Sequence, residues 1–127
     1  MSIPLVIGRV LLASLFILGG LDKILDPDPS ILRMTEVGMP LAHLLIYPVI
    51  ALELGGGLLV AFARAWPLRL AATALIVHTL AINLLLHPFW AAAPELARIE
   101  VSLFFKNIAV VGGLLIVASG GRVPAQS

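Results

Sequence analysis

The chain contains no cysteine. That absence excludes disulfides, thiolate metal ligands, CxxC redox chemistry and a cysteine nucleophile. Charge is scarce too: 12% of the 127 residues are Asp, Glu, Lys or Arg, where soluble domains run near a quarter. A net charge of +1 and 6% aromatic content provide neither a basic stripe nor base-stacking platforms, so nucleic acid is not an expected partner. The three histidines, His43, His78 and His87, form no HxxxH pair, and the acids lack calcium-loop spacing, so no metal site is expected. No GxGxxG, P-loop or GxSxG element is present, and no self-sufficient catalytic motif is seen. The acid–base set that can be named is Glu53, Lys106 and His87.

What the chain does have is apolar side chain, 61% of the residues, with a mean hydropathy of +1.11. A domain this small has a large surface for its volume and cannot bury so much apolar area in water without exposing aggregation-prone patches. Lipid as solvent removes the conflict. A spanning helix needs about 20 predominantly apolar residues, and four windows qualify, at about 3–21, 47–63, 68–86 and 99–119. Pro40, Pro67 and Pro94 stand before or at helix starts. The fold expected is all-α, a single transmembrane domain over residues 1–127 built as an integral membrane four-helix bundle, with a short interfacial segment between the first two spans. That segment follows Asp26-Pro27-Asp28-Pro29-Ser30, extends from Ile31 to Val37, and is too polar to span. Arg9 sits inside the first apolar run and no small-x-small site follows it, so the run is expected to be a retained helix and not a cleaved signal peptide. Four crossings put both termini on one side. Arg9, Arg64, Arg69 and Arg122 on that side balance Lys23, Arg33, Arg98 and Lys106 on the other, and the acid-free crowding of Arg64 and Arg69 in one short loop favours cytoplasmic termini.

The informative residues are those that do not belong in lipid. An ionised side chain at the bilayer centre costs about 3 kcal/mol on insertion scales, so Arg9, Glu53 and Lys106 must face protein, water or one another. Counting rise along the helices puts Glu53 and Lys106 at matching depths, and the expected structural ion pair is Glu53 with Lys106, with Arg9, or with both. Arg9, Ala13, Phe16, Gly20 and Lys23 fall at helical spacing on one stripe that should face the bundle. Thr79, Asn83 and His87 draw a second polar stripe on the third span. His78 lies off it and reads as a hydrogen-bonded packing histidine. Gly55-Gly56-Gly57 and Gly112-Gly113 allow close helix approach. Lys23, Asn83, His87, Lys106 and Asn107 come from three spans yet converge in one half of the bilayer. Such convergence suits a pocket for a polar head with an apolar tail.

Arg9 with Phe16, Gly20 and Lys23, then Gly38-Met39-Pro40, Glu53 with Gly56-Gly57, His87-Pro88-Phe89-Trp90, and Phe105-Lys106-Asn107 with Gly112-Gly113 resemble, in order and spacing, the DoxX family. The resemblance implies a four-helix protein of the bacterial inner membrane. Some DoxX relatives are subunits of a thiosulfate:quinone oxidoreductase and some associate with redox-defence enzymes. With neither a cysteine nor a soluble domain to handle a sulfur substrate in this sequence, thiosulfate oxidation is not the expected activity. Three functions follow as expectations: a non-catalytic partner or scaffold of a membrane redox system, a lipophile- or quinone-binding subunit of a membrane oxidoreductase, and a small-solute or lipid transporter acting as an oligomer. No cofactor beyond a quinone is implied, and the expected partners are membrane lipids, a redox enzyme subunit and further copies of the chain.

Overall fold

The computed structural model describes residues 2–120. They form five α-helices and one 3₁₀ turn: α1 (Ile3–Leu25), α2 (Asp28–Glu36), α3 (Ala42–Phe62), α4 (Ala65–Leu86), the 3₁₀ turn Phe89–Ala91, and α5 (Pro94–Ala118). No strand occurs among the described residues. α1, α3, α4 and α5 are each long and apolar enough to cross a membrane, and α2 is the short segment expected between the first two spans.

α1 and α5 extend beyond their hydropathy windows at the α2 end because those turns are polar. Lys23 occupies the last turn of α1 and Glu95 the first turn of α5, placements that oppose the partial charges of helix ends. α3 begins at Ala42, not near Tyr47, and carries Pro48 inside it. Pro48 lies in the second turn, past the first turn where proline is free of cost, and removes the backbone bond that its N–H would make to Leu44 O. α2 ends on Gly38 at φ +83, where Gly38 N–H donates to Thr35 O and Met39 N–H to Met34 O, both at 3.0 Å. This is the left-handed stop that glycine accommodates without strain.

α1 packs chiefly on α3, α3 on α4, and α4 on α5, while α1 and α5 barely touch. Small residues set the first contact. A Cβ at Gly20 would lie 2.7 Å from Leu54 Cγ, and one at Gly57 would lie 2.8 Å from Ile17 Cγ1, so these backbones approach as glycine alone permits. Gly55 and Gly112 face open space and contribute nothing to packing, contrary to their expected role. The stripe on α1 faces inward as its spacing requires: Arg9, Ala13, Phe16 and Gly20 are its buried residues. The main core joins Ala13, Phe16, Val60, Leu75 and Leu114, and a smaller one joins Met34 of α2 to Ala42 and Ile46 of α3. The outer faces carry Leu, Ile, Val and Phe exposed to the surroundings, as lipid requires and water would not tolerate.

Alternating helix directions place Ile3 and Ala118 at one end with the Arg64 turn, and α2 with the 3₁₀ turn at the other. From Arg9 to Leu25, α1 rises about 24 Å, a little less than the hydrocarbon thickness of about 30 Å. Trp66 is exposed at the arginine end, and Tyr47 and Trp90 at the α2 end. Aromatic side chains at both levels are the usual markers of the two interfaces.

Candidate functional site

Glu53 organises the interior. Only 5% of its surface is exposed, and its carboxylate accepts from Lys23 Nζ at 3.1 Å (Oε1) and 2.9 Å (Oε2) and from His78 Nε2 at 3.1 Å. A carboxylate only accepts, so His78 carries its proton on Nε2 in this contact. Lys23 also donates weakly to Gly19 O at 3.4 Å. Its side chain folds back along α1 into the bundle, and the glycine at position 19 leaves room for it: a Cβ there would lie 3.2 Å from Glu53 Oε2.

The expected pairing of Glu53 with Lys106 or Arg9 is therefore corrected. α3 and α4 run antiparallel with Glu53 beside His78, and α4 and α5 with Asn83 beside Asn107. Asn83 is more than a helical turn beyond His78 towards the α2 end, and Lys106 shares its level. Lys106 is thus nearer the surface than Glu53, and it is exposed on the outer side of α5. Counting depth from window starts failed because α3 and α5 both begin five residues before their windows and at different levels, so that register, fixed by the Glu53–His78 and Asn83–Asn107 contacts, decides depth. Arg9 belongs to the opposite end: its Nε donates to Val60 O at 2.8 Å and its Nη2 to Ala63 O. It thereby serves the open carbonyls at the end of α3 and the negative end of that helix dipole.

A second carboxylate–imidazole pair stands at the α2 end, His87 Nδ1 with Glu100 Oε2 at 2.8 Å. The Nδ1 contact assigns the ring orientation and leaves Nε2 for another partner. Asn83 is 1% exposed; it donates to Phe104 O at 3.0 Å and accepts from Asn107 Nδ2 at 3.1 Å. Every buried side-chain nitrogen and oxygen among the described residues has a partner, so the polar groups form a finished network.

Between these groups lies a cavity of about 220 Å³, lined by Lys23, Glu53, His78, Thr79, His87 and Asn107 with Phe16 and Leu15 opposite. All four spans contribute to it. Of the five ligand residues expected from sequence, Lys23, His87 and Asn107 line the cavity, Asn83 braces Asn107 from behind, and Lys106 stands outside. His78 and Glu53, read from sequence as structural, line it as well. A second chamber of about 360 Å³, mostly apolar, lies beneath α2 among Met34, Met39, Val49 and Leu85. It shares Lys23, His78 and Ile82 with the first. α2 is tethered over this chamber by Arg33, which donates to Leu86 O at 2.7 Å. Among the described residues no cluster of three or more His, Asp or Glu is placed to hold a metal ion.

No solved structure matches the chain. The inner membrane protein YphA of Escherichia coli (strain K12) is 24% identical over 117 residues, covering 92% of this chain and 82% of that protein. The DoxX family model matches residues 4–88, a stretch holding Arg9, Lys23, Glu53, His78 and His87, and on that match the chain belongs to the DoxX family.

Proposed function

We propose that this protein binds a lipophilic molecule whose head, bearing carbonyl or hydroxyl oxygens as a quinone does, sits in the cavity beside Glu53. The protein serves as the lipophile-binding subunit of a redox system in the bacterial inner membrane. The observation that carries the reading is a polar cavity inside an otherwise apolar bundle, joined to an apolar chamber. At about 220 Å³ the cavity is below the range of about 300–1,000 Å³ for whole small-molecule sites. It suits a head group, and the apolar chamber under α2 takes the tail. Lys23 and Asn107 bring N–H groups from two helices to a head oxygen, and the second ring nitrogens of His78 and His87, whose N–H groups are engaged by Glu53 and Glu100, accept from a head hydroxyl. The paired carboxylates of Glu53 and Glu100 keep the two imidazoles oriented and close to a proton acceptor. These groups hold and orient the head and exchange protons with it; the electron chemistry belongs to the bound molecule and the partner enzyme.

A partner or scaffold role is favoured by one separate observation. α5 is the least buried span and presents Lys106 outward, so its outer face suits contact with another subunit or a second copy. Transport has no comparable support, since the described residues show no pair of broken helices of the kind that frames a transporter site.

The test is mass spectrometry of lipophiles copurifying in mild detergent. The wild type should carry a quinone or similar molecule above the level of a control membrane protein, and His87→Ala and His78→Ala should each lose it while keeping the helical circular dichroism signal. A wild type with no such enrichment would leave the scaffold reading in its place.

A further inference from the structure

The end of the molecule remote from α2 carries a different kind of site. Arg9, Arg64 and Arg69 line one cavity of about 370 Å³ at the turn between α3 and α4. Arg64 and Arg69 are exposed at its rim, and among the described residues neither guanidinium donates a hydrogen bond or meets a carboxylate. Arg64 lies near enough for its charge to act on Arg9. Six of the seven Asp and Glu residues, at positions 22, 26, 28, 36, 95 and 100, lie towards the α2 end, and Glu53 in the middle of α3 is bound to Lys23 and His78, so no acidic side chain meets Arg64 or Arg69. The first turn of α4, from Ala65 to Arg69, forms part of the same wall and adds the partial positive charge of a helix N-terminus.

The arginine cavity continues into an apolar groove. Because α1 and α5 barely touch, a cleft of about 540 Å³ runs between them past Leu12, Leu15, Val110, Gly113 and Ile116, and it shares Leu5, Arg9 and Val117 with the arginine cavity. Gly8 on its wall has nothing within 4 Å of a would-be Cβ. Three cations at an interface opening onto an apolar channel along the spans match one molecular shape, a phosphate-bearing head with an acyl chain. A free phosphate would use the cavity and leave the channel without a role. We propose that this end binds an anionic phospholipid, its phosphate among Arg9, Arg64 and Arg69 and an acyl chain in the α1–α5 groove. The site meets the Glu53 cavity at one residue, Leu15, shares no residue with the apolar chamber under α2, and does not rest on the quinone reading.

The experiment is native mass spectrometry of the delipidated full chain in mild detergent, titrated with phosphatidylglycerol and with phosphatidylcholine of matched acyl chains. A third arm uses inorganic phosphate alone and as a competitor. The wild type should bind phosphatidylglycerol at least about tenfold more tightly than phosphatidylcholine, and Arg64→Gln with Arg69→Gln should remove most of that preference. Gly8→Leu and, separately, Ile116→Trp, which obstruct the groove from opposite walls, should weaken phosphatidylglycerol binding while both arginines remain. The proposal is overturned if the wild type does not distinguish the two lipids or if the double arginine variant keeps the preference. It is also overturned if millimolar phosphate displaces the lipid while both groove variants bind as the wild type does, since the site would then take a free anion.

Discussion

At the scale of single residues, Glu53 is the group on which the interior depends. Its two bonds from Lys23 and one from His78 offset the cost of holding a carboxylate away from water. Removing its charge strands Lys23, whose side chain is 20% exposed. Glu53→Gln is therefore expected to lower stability in detergent by about 3 kcal/mol, the low end for breaking a buried pair. Adding Lys23→Met should restore part of the loss, and adding Lys106→Met should restore none. Thermal unfolding of the three variants checks this, and rescue by Lys106→Met would return the ion pair to α5. That sequence reasoning singled out Glu53 but chose the wrong base has a physical cause. A charge in an apolar window announces itself by cost alone, whereas its partner is set by interhelix register. Lys23 lies on the bundle-facing stripe of α1 and among the expected pocket residues, but only the packing of α1 on α3 brings its ammonium onto Glu53.

At the scale of helices, α4 explains what periodicity showed and what it concealed. Thr79, Asn83 and His87 share a face because that face meets α5, as the bonds of Asn83 to Phe104 and Asn107 attest. His78 lies off that stripe because α4 is an inner helix with a second packed face, the one that meets α3 and Glu53. A single-stripe reading suits a helix with one neighbour; it discards the functional side of a helix with two. The four spans were legible since apolar length is a local property. Their ends were not, because polar last turns such as the one holding Lys23 continue a helix that hydropathy has already dropped. Packing at this scale is testable through glycine. Gly20→Ala drives a Cβ against Leu54 and should cost about 1–3 kcal/mol in unfolding midpoints converted to free energy, whereas Gly55→Ala, facing open space, should cost nothing measurable and gain in helix propensity. The α2 lid is tested in the same way. Arg33→Ala removes its bond to Leu86 O and should speed amide hydrogen exchange across α2 without changing exchange in the core of α3.

At the scale of the whole molecule, the bundle has two unlike ends: one gathers arginines with no acidic side chain, and the other mixes acids and bases around the cavity, the 3₁₀ turn and α2. The even number of spans makes a topological prediction suited to a chain without cysteine. Cysteines introduced at Ser2 and Ser119 should label from one face of the membrane and one at Thr35 from the other, and the crowding of Arg64 and Arg69 in one turn predicts that the Ser2 face is the one labelled from the cytoplasm. Labelling of Ser2 and Thr35 from the same face would contradict the four-span arrangement. If the space beside Glu53 receives a lipophile's head, a photoreactive head group in the membrane should mark the walls of that space. A quinone carrying a photoreactive group on its ring is irradiated in membranes containing the wild-type protein, and the adducts are mapped by peptide mass spectrometry. Adducts are expected on the cavity wall, near Lys23 of α1, His78 to Ile82 of α4 and Asn107 of α5, suppressed by excess unlabelled quinone and lost in His87→Ala. Adducts confined to lipid-facing positions such as Leu70, Val77 or Leu84, undiminished by competition, would contradict this placement.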